Sequence, residues 1–165
     1  MTTIFPSALT DPTDAALTRD AFLGGRLHLY QPRRGYRAGV DAVLLSASIP
    51  AKKGDHVLEL GCGVGAAILC LGTRVDGLML TGVERDTGFA ALARRNGGTA
   101  LEVVEADLVT LPPSLRERQF DPVLANPPYY DRSATKPSAD PIRAAAPRAQ
   151  TPLSPWAHSA ARPPA

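Results

Sequence analysis

With 165 residues, 44% of them apolar, and a formal net charge of +2, the chain has room for one domain with a real core. No apolar run approaches membrane-spanning length and no signal peptide is visible, so a membrane protein is disfavoured and a cytoplasmic one expected. The two cysteines, Cys62 and Cys70, make no metal-ligand spacing and read as reduced thiols, and a pI near 8.7 permits a nucleic-acid partner without demanding one.

Residues 1–20 are polar with scattered Pro and Asp and read as a flexible N-terminal arm. Gly24-Gly25 then leads a stretch in which Leu27 and Leu29 alternate with His28 and Tyr30, the pattern of a small hairpin with His28 on its solvated face. Gln31-Pro32-Arg33-Arg34-Gly35-Tyr36-Arg37-Ala38-Gly39-Val40-Asp41 follows and opens an apolar helix that ends at Pro50. Two readings of Arg33, Arg34 and Arg37 stay open here: an exposed basic rim, or phosphate contacts for a nucleic acid.

From Asp55 the pattern becomes regular. Strands are predicted near 55–60, 78–83, 101–105 and 121–125, with helices near 64–73 and 87–96 between the first three. That βαβαβ progression gives an α/β fold, a doubly wound and mostly parallel sheet. The first strand runs into Gly61-Cys62-Gly63-Val64-Gly65, a glycine turn that leaves the main chain open to a ligand before a helix begins. Glu84 ends the second strand, Asp107 lies just after the third, and Asn126 just after the fourth. Ligands of such sheets lie beyond the carboxyl ends of the strands, where all of these residues fall.

The glycines alone do not name a ligand, because Gly61, Gly63 and Ala66 also satisfy the loose dinucleotide pattern. Glu59, two residues before the first glycine, suits a cation and opposes a pyrophosphate, which favours S-adenosylmethionine over a nicotinamide cofactor. No Gly-Lys-Ser/Thr is present, which excludes a nucleoside-triphosphate loop. The fourth strand ends in Asn126-Pro127-Pro128-Tyr129. Here a side-chain amide and a proline carbonyl can both accept from one NH₂ group, and Tyr129 offers a face for a base. Alone, this tetrapeptide reads equally well as a rigid turn; its place after the glycine turn and two acids favours the functional reading.

On these motifs the sequence resembles the Rossmann-like Class I S-adenosylmethionine-dependent methyltransferases with an Asn-Pro-Pro-Tyr motif. Among them it is most similar to the bacterial tRNA1(Val) (adenine-37-N6)-methyltransferase family, through residues 31–45, 58–67 and 125–129. The resemblance implies a tRNA substrate and S-adenosylmethionine as cofactor, with no metal. It implies that Glu59, Gly61, Gly63 and Gly65 hold the methionine part, Glu84 the ribose hydroxyls and Asp107 the adenine amino group. Tyr36, Arg37, Gly39 and Asp41 would close over the cofactor, with Asn126 beside it. Asn126, Pro127, Pro128 and Tyr129 would orient the target amine, and Arg33, Arg34 and Tyr129 would meet the RNA. A protein glutamine amide presents the same NH₂ geometry and is the alternative substrate; a DNA adenine is a further one.

The chain departs from that family after the motif. Twelve of the sixteen prolines follow residue 110, and residues 131–165 form an Ala/Pro-rich tail that cannot supply the three further strands expected. The expectation is therefore a methyltransferase core over 21–130, truncated after its fourth strand. That strand would be left as an exposed edge able to favour association, and an inactive fragment stands beside the enzyme as a reading.

Overall fold

The computed structural model describes residues 14–127. A hairpin comes first: β1 (Leu17–Phe22) pairs antiparallel with β2 (Leu27–Pro32) across a tight turn at Leu23–Gly25. Then follow α1 (Val40–Ser48), β3 (His56–Leu60), α2 (Ala66–Arg74), β4 (Met79–Glu84), α3 (Thr87–Gly97) and β5 (Leu101–Glu105). The single turn α4 (Pro113–Arg116) and the short β6 (Val123–Ala125) complete the order.

The sheet is all parallel in the order β5-β4-β3-β6. Chain order runs outward from β3 through β4 to β5, then returns to the other side of β3, so β3 is central and the reversal point lies between β3 and β6. Its residues are accordingly buried on both faces. Val57 packs with Ile68, Leu71, Leu92 and Leu101 beneath α2 and α3. Leu58 and Leu60, one pleat over, pack with Val83, Leu115 and the half-buried Leu108, Leu111 and Phe120 on the opposite face.

The expected elements are present; several ends shift by one residue, and three larger differences have a physical reason. The sheet's fourth strand starts at Val123 rather than 121, because Pro122 has no N–H for the ladder; its carbonyl accepts from Leu58 N–H at 3.1 Å instead. The helix after the glycine turn begins at Ala66 rather than 64, since Gly65 is left-handed. The stretch expected as an arm contains β1: Leu17 is buried in the core, and the strand ladder extends to Pro32. The tail over 131–165 lies outside the described residues.

The hairpin is fastened to the sheet domain by Asn96 near the end of α3. Its Oδ1 accepts from Tyr30 N–H at 2.7 Å, and its Nδ2 donates to the carbonyls of Tyr30 and Val64. The Arg95 guanidinium lies 3.8 Å from the centre of the Tyr30 ring.

Close packing also fixes the glycine at the middle of β4. A Cβ on Gly82 would stand 2.7 Å from Cys62 Sγ and 3.1 Å from its Cβ, under the glycine turn. Gly82→Ala is therefore expected to destabilise the protein by about 1–3 kcal/mol, read as a lower urea midpoint at unchanged slope.

Candidate active site

Register assembles the site. The last β3–β6 pair is Leu60 with Ala125, and Leu60 also pairs with Val83 of β4. The residues that follow these pairs are Gly61, Glu84 and Asn126, so all three stand at the carboxyl end of the sheet on neighbouring segments. Asp107 follows two residues beyond Glu105, which pairs with Glu84. The carboxyl edge thus reads Asp107, Glu84, Gly61, Asn126 across the sheet.

Side chains of the flanking strands hold the glycine turn. Glu84 accepts from Gly63 N–H through Oε2 and from Asp86 N–H through Oε1, both at 2.8 Å. Cys62 N–H donates to the Val83 carbonyl, and Gly65 N–H to the Cys62 carbonyl. Gly61, Gly63 and Gly65 are all left-handed, but they face different surroundings. A Cβ on Gly63 would meet nothing within 4 Å, whereas one on Gly65 would press on Leu101 and Leu69 at 3.2 and 3.3 Å. Gly63 leaves the turn open outward, and Gly65 lets α2 pack closely on its neighbours.

Glu59 sits on the face of β3 that α2 covers, only 2% exposed, and accepts from Ile68 N–H at 3.0 Å. Burial pushes its carboxyl up to about 8, against the lowering effect of that hydrogen bond and reinforced by the charge of Glu84. Burial likewise raises Glu84, although its backbone hydrogen bonds pull the other way. Burial, together with Glu59 and Glu84, also raises the Cys62 thiol, and burial pushes Cys70 up to about 11; both cysteines are free and buried.

The remaining expected residues divide. Tyr36, 44% exposed, meets the Phe89 ring edge-on at a centroid distance of 6.3 Å, which places it at the start of α3 near Glu84. Asp107 accepts from Val109 N–H at 2.9 Å, and Arg85 reaches its other oxygen at 3.4 Å. Asn126 Nδ2 donates to Asp41 Oδ2 at 2.5 Å, while Asp41 Oδ1 accepts from Gly39 N–H. Arg37 turns elsewhere: it donates to Asp20, Thr18 and the Pro32 carbonyl. Arg33 is tied to the Ala15 carbonyl through Nε, and Arg34 is exposed with no partner among the described residues. Pro127 is described; Pro128 and Tyr129 lie outside the described residues.

Asp86 and Asn96 were not singled out from the sequence. Asp86 caps α3, accepting from Gly88 and Phe89 N–H groups, and an Asp one residue before Thr87 is a legible capping signal. Asn96 carries no comparable signal. No group of residues suited to hold a metal occurs among the described residues, and no helix there is long and apolar enough to cross a membrane.

Residues 38–150 match the model of the methyltransferase small domain. Two similar relatives are named tRNA1(Val) (adenine(37)-N6)-methyltransferase. One, from Klebsiella pneumoniae, is 33% identical over 121 residues, covering 70% of this chain and 49% of the relative. The other, from Cronobacter sakazakii, is 32% identical over 122 residues with the same coverage. The chain thus spans about half the length of these curated relatives. Among solved structures, the tRNA (uracil-54, C5)-methyltransferase of Pyrococcus abyssi, in complex with S-adenosyl-L-homocysteine, aligns with a TM-score of 0.53 at 20% identity. That alignment covers 68% of this chain and 28% of that one, and bears on the fold alone.

Burial of Glu59 has a measurable consequence. The folded chain keeps a proton on Glu59 between its ordinary value of 4.5 and about 8, where the unfolded chain has lost it. This contribution to stability is therefore full below 4.5, declines as pH rises, and is gone above about 8. Its slope is at most about 1.4 kcal/mol per pH unit. Urea unfolding across that range should show a shallower decline in Glu59→Gln than in the wild-type chain.

Proposed function

We propose, from the premise that the chain belongs to the methyltransferase small-domain family, that it serves S-adenosylmethionine-dependent methyl transfer to the exocyclic N6 of an adenine in tRNA, in the cytoplasm. One observation supports the reading: the β3–β6 pairing ends at Leu60 and Ala125, the residues just before Gly61 and Asn126, so the open turn and the side-chain amide lie at the same carboxyl edge of the sheet.

The residues present fit the cofactor. Gly63 turns open backbone outward and donates to Glu84, and Asp107 follows the neighbouring strand, while Arg85, the neighbouring cation, is engaged with Asp107. Such an edge favours a cationic ligand over a pyrophosphate. When bound, S-adenosylmethionine supplies an electrophilic methyl on a sulfonium. Glu59, Gly61 and Gly63 would hold its methionine part, Glu84 the ribose and Asp107 the adenine amino group. Tyr36, stacked edge-on against Phe89, would cover that end.

The chain's part in the chemistry is placement. Asn126 Oδ1 and the Pro127 carbonyl accept the two N–H bonds of the target amine and turn its lone pair toward the methyl. By their sequence positions Pro128 and Tyr129 would belong to the same substrate clamp, with Tyr129 the residue suited to stack on a base. Arg34, exposed and unpartnered among the described residues, is the cation best suited to a phosphate, with Arg33 beside it.

The test is methyl incorporation from labelled S-adenosylmethionine into bulk tRNA and, in parallel, into a glutamine-containing peptide. Labelled tRNA supports the reading; a labelled peptide with unlabelled tRNA, or no label in either, overturns it. Asn126→Ala is expected to lower kcat by about 100-fold while leaving the cofactor dissociation constant nearly unchanged. Arg34→Ala should weaken tRNA binding and reduce the salt dependence of log affinity by about one unit, measured by filter binding at several ionic strengths.

A further inference from the structure

The contact between Asp41 and Asn126 joins two segments far apart in the sequence, and its chemistry has a direction. A side-chain amide presents a donor on one side and an acceptor on the other, and rotating it by half a turn exchanges them. An Asn free to rotate would offer N–H to an incoming amine as often as oxygen, and two donors repel. A carboxylate can only accept. Asp41 Oδ2 therefore commits Asn126 Nδ2 at 2.5 Å, and Oδ1 of the amide is left as an acceptor.

Asp41 is itself fixed. Its second oxygen accepts from Gly39 N–H at 3.1 Å, and it stands in the first turn of α1, where a negative charge suits the helix dipole. Gly39 leaves room for this arrangement, since a Cβ there would lie 3.3 Å from Asp41 Oδ1. At its other end α1 is anchored to α2, because Arg74 donates to the carbonyls of Ser46 and Ile49.

We propose that Asp41 is a positioning residue that fixes the polarity of the substrate clamp, holding the Asn126 amide by its nitrogen so that only acceptors face the nucleophile. This rests on the amine-methylation reading above and adds to it the choice of nucleophile. With Asn126 Oδ1 and the Pro127 carbonyl both accepting, a target bearing two N–H bonds satisfies the clamp. A hydroxyl satisfies one acceptor and leaves the other unpaired. Asp41 thereby acts on substrate choice, not on cofactor affinity.

Two measurements on the full chain test this. In ¹H–¹⁵N spectra, the Asn126 side-chain amide, assigned by its loss in Asn126→Gln, should show one strongly downfield proton. In Asp41→Ala the two protons should move together toward the positions of solvated amides. In parallel, titration with S-adenosylhomocysteine should give Asp41→Ala and wild-type dissociation constants within about 2-fold, while kcat for methyl transfer falls by about 10- to 100-fold, the loss of one charge-assisted hydrogen bond. Asp41→Asn, whose own oxygen can still accept, should recover part of both the amide signature and kcat. An Asn126 amide pair unchanged in Asp41→Ala overturns the proposal. So does a loss of S-adenosylhomocysteine affinity as large as the loss of kcat, which would make Asp41 a cofactor-closing residue. Absence of methyl transfer in every variant, wild type included, counts against the parent reading, and the amide signature still decides whether Asp41 holds Asn126.

Discussion

The pairing of β6 with β3 is the constraint on which the site depends. β6 contributes only three residues to the sheet, so its register needs outside support. Asp121 gives it: its backbone N–H donates to the His56 carbonyl, and its side chain accepts from His56 N–H, both at 2.8 Å. The Pro122 carbonyl then takes Leu58 N–H, and the ladder runs on to Leu60 and Ala125. A slip of one residue would turn buried Leu124 to the opposite face and carry Asn126 away from Gly61. The hydrophobic burial of one leucine and the placement of Asn126 at the sheet's carboxyl edge follow from the same register.

The carboxylates beside the turn serve structure and electrostatics together. Glu84 and Glu59 each accept from backbone N–H groups that the turn and the start of α2 would otherwise leave unpaired. Holding them there removes them from water, and that raises both. Glu59, which burial lets keep its proton up to about 8, is there a neutral hydrogen-bond partner; an acid of this kind becomes a counter-charge beside a cation.

The sequence makes the sheet legible because its signals are local. Largely apolar stretches near 55–60, 78–83 and 101–105, each followed by a helix or turn signal, imply the parallel sheet. The glycine turn and the acids after each strand imply which edge matters. What it does not disclose are contacts between distant segments. Asn96 looks like any polar residue near a helix end, yet it binds the hairpin and the glycine turn at once. Leu17 sits in a polar neighbourhood, and its burial becomes visible only when β1 is paired with β2. Arg37 has the composition of a basic rim, but Asp20, brought beside it by the hairpin, takes its charge at 2.6 Å.

That last contact changes the meaning of the whole segment between hairpin and α1. Buried Gln31 donates to Asp20 and accepts from Ala38 N–H, while Arg37 fastens to Asp20, Thr18 and the Pro32 carbonyl. Both ends of the loop are thereby set, and it becomes a strut crossing the carboxyl edge of the sheet. Tyr36 reaches Phe89 at the Glu84 side, and Asp41 reaches Asn126 at the other. One short segment thus carries both the Tyr36–Phe89 ring contact and the Asp41–Asn126 hydrogen bond. The arginines accordingly separate: Arg37 fastens the loop to the hairpin, Arg33 is tied to the Ala15 carbonyl, and Arg34 is exposed with no partner among the described residues.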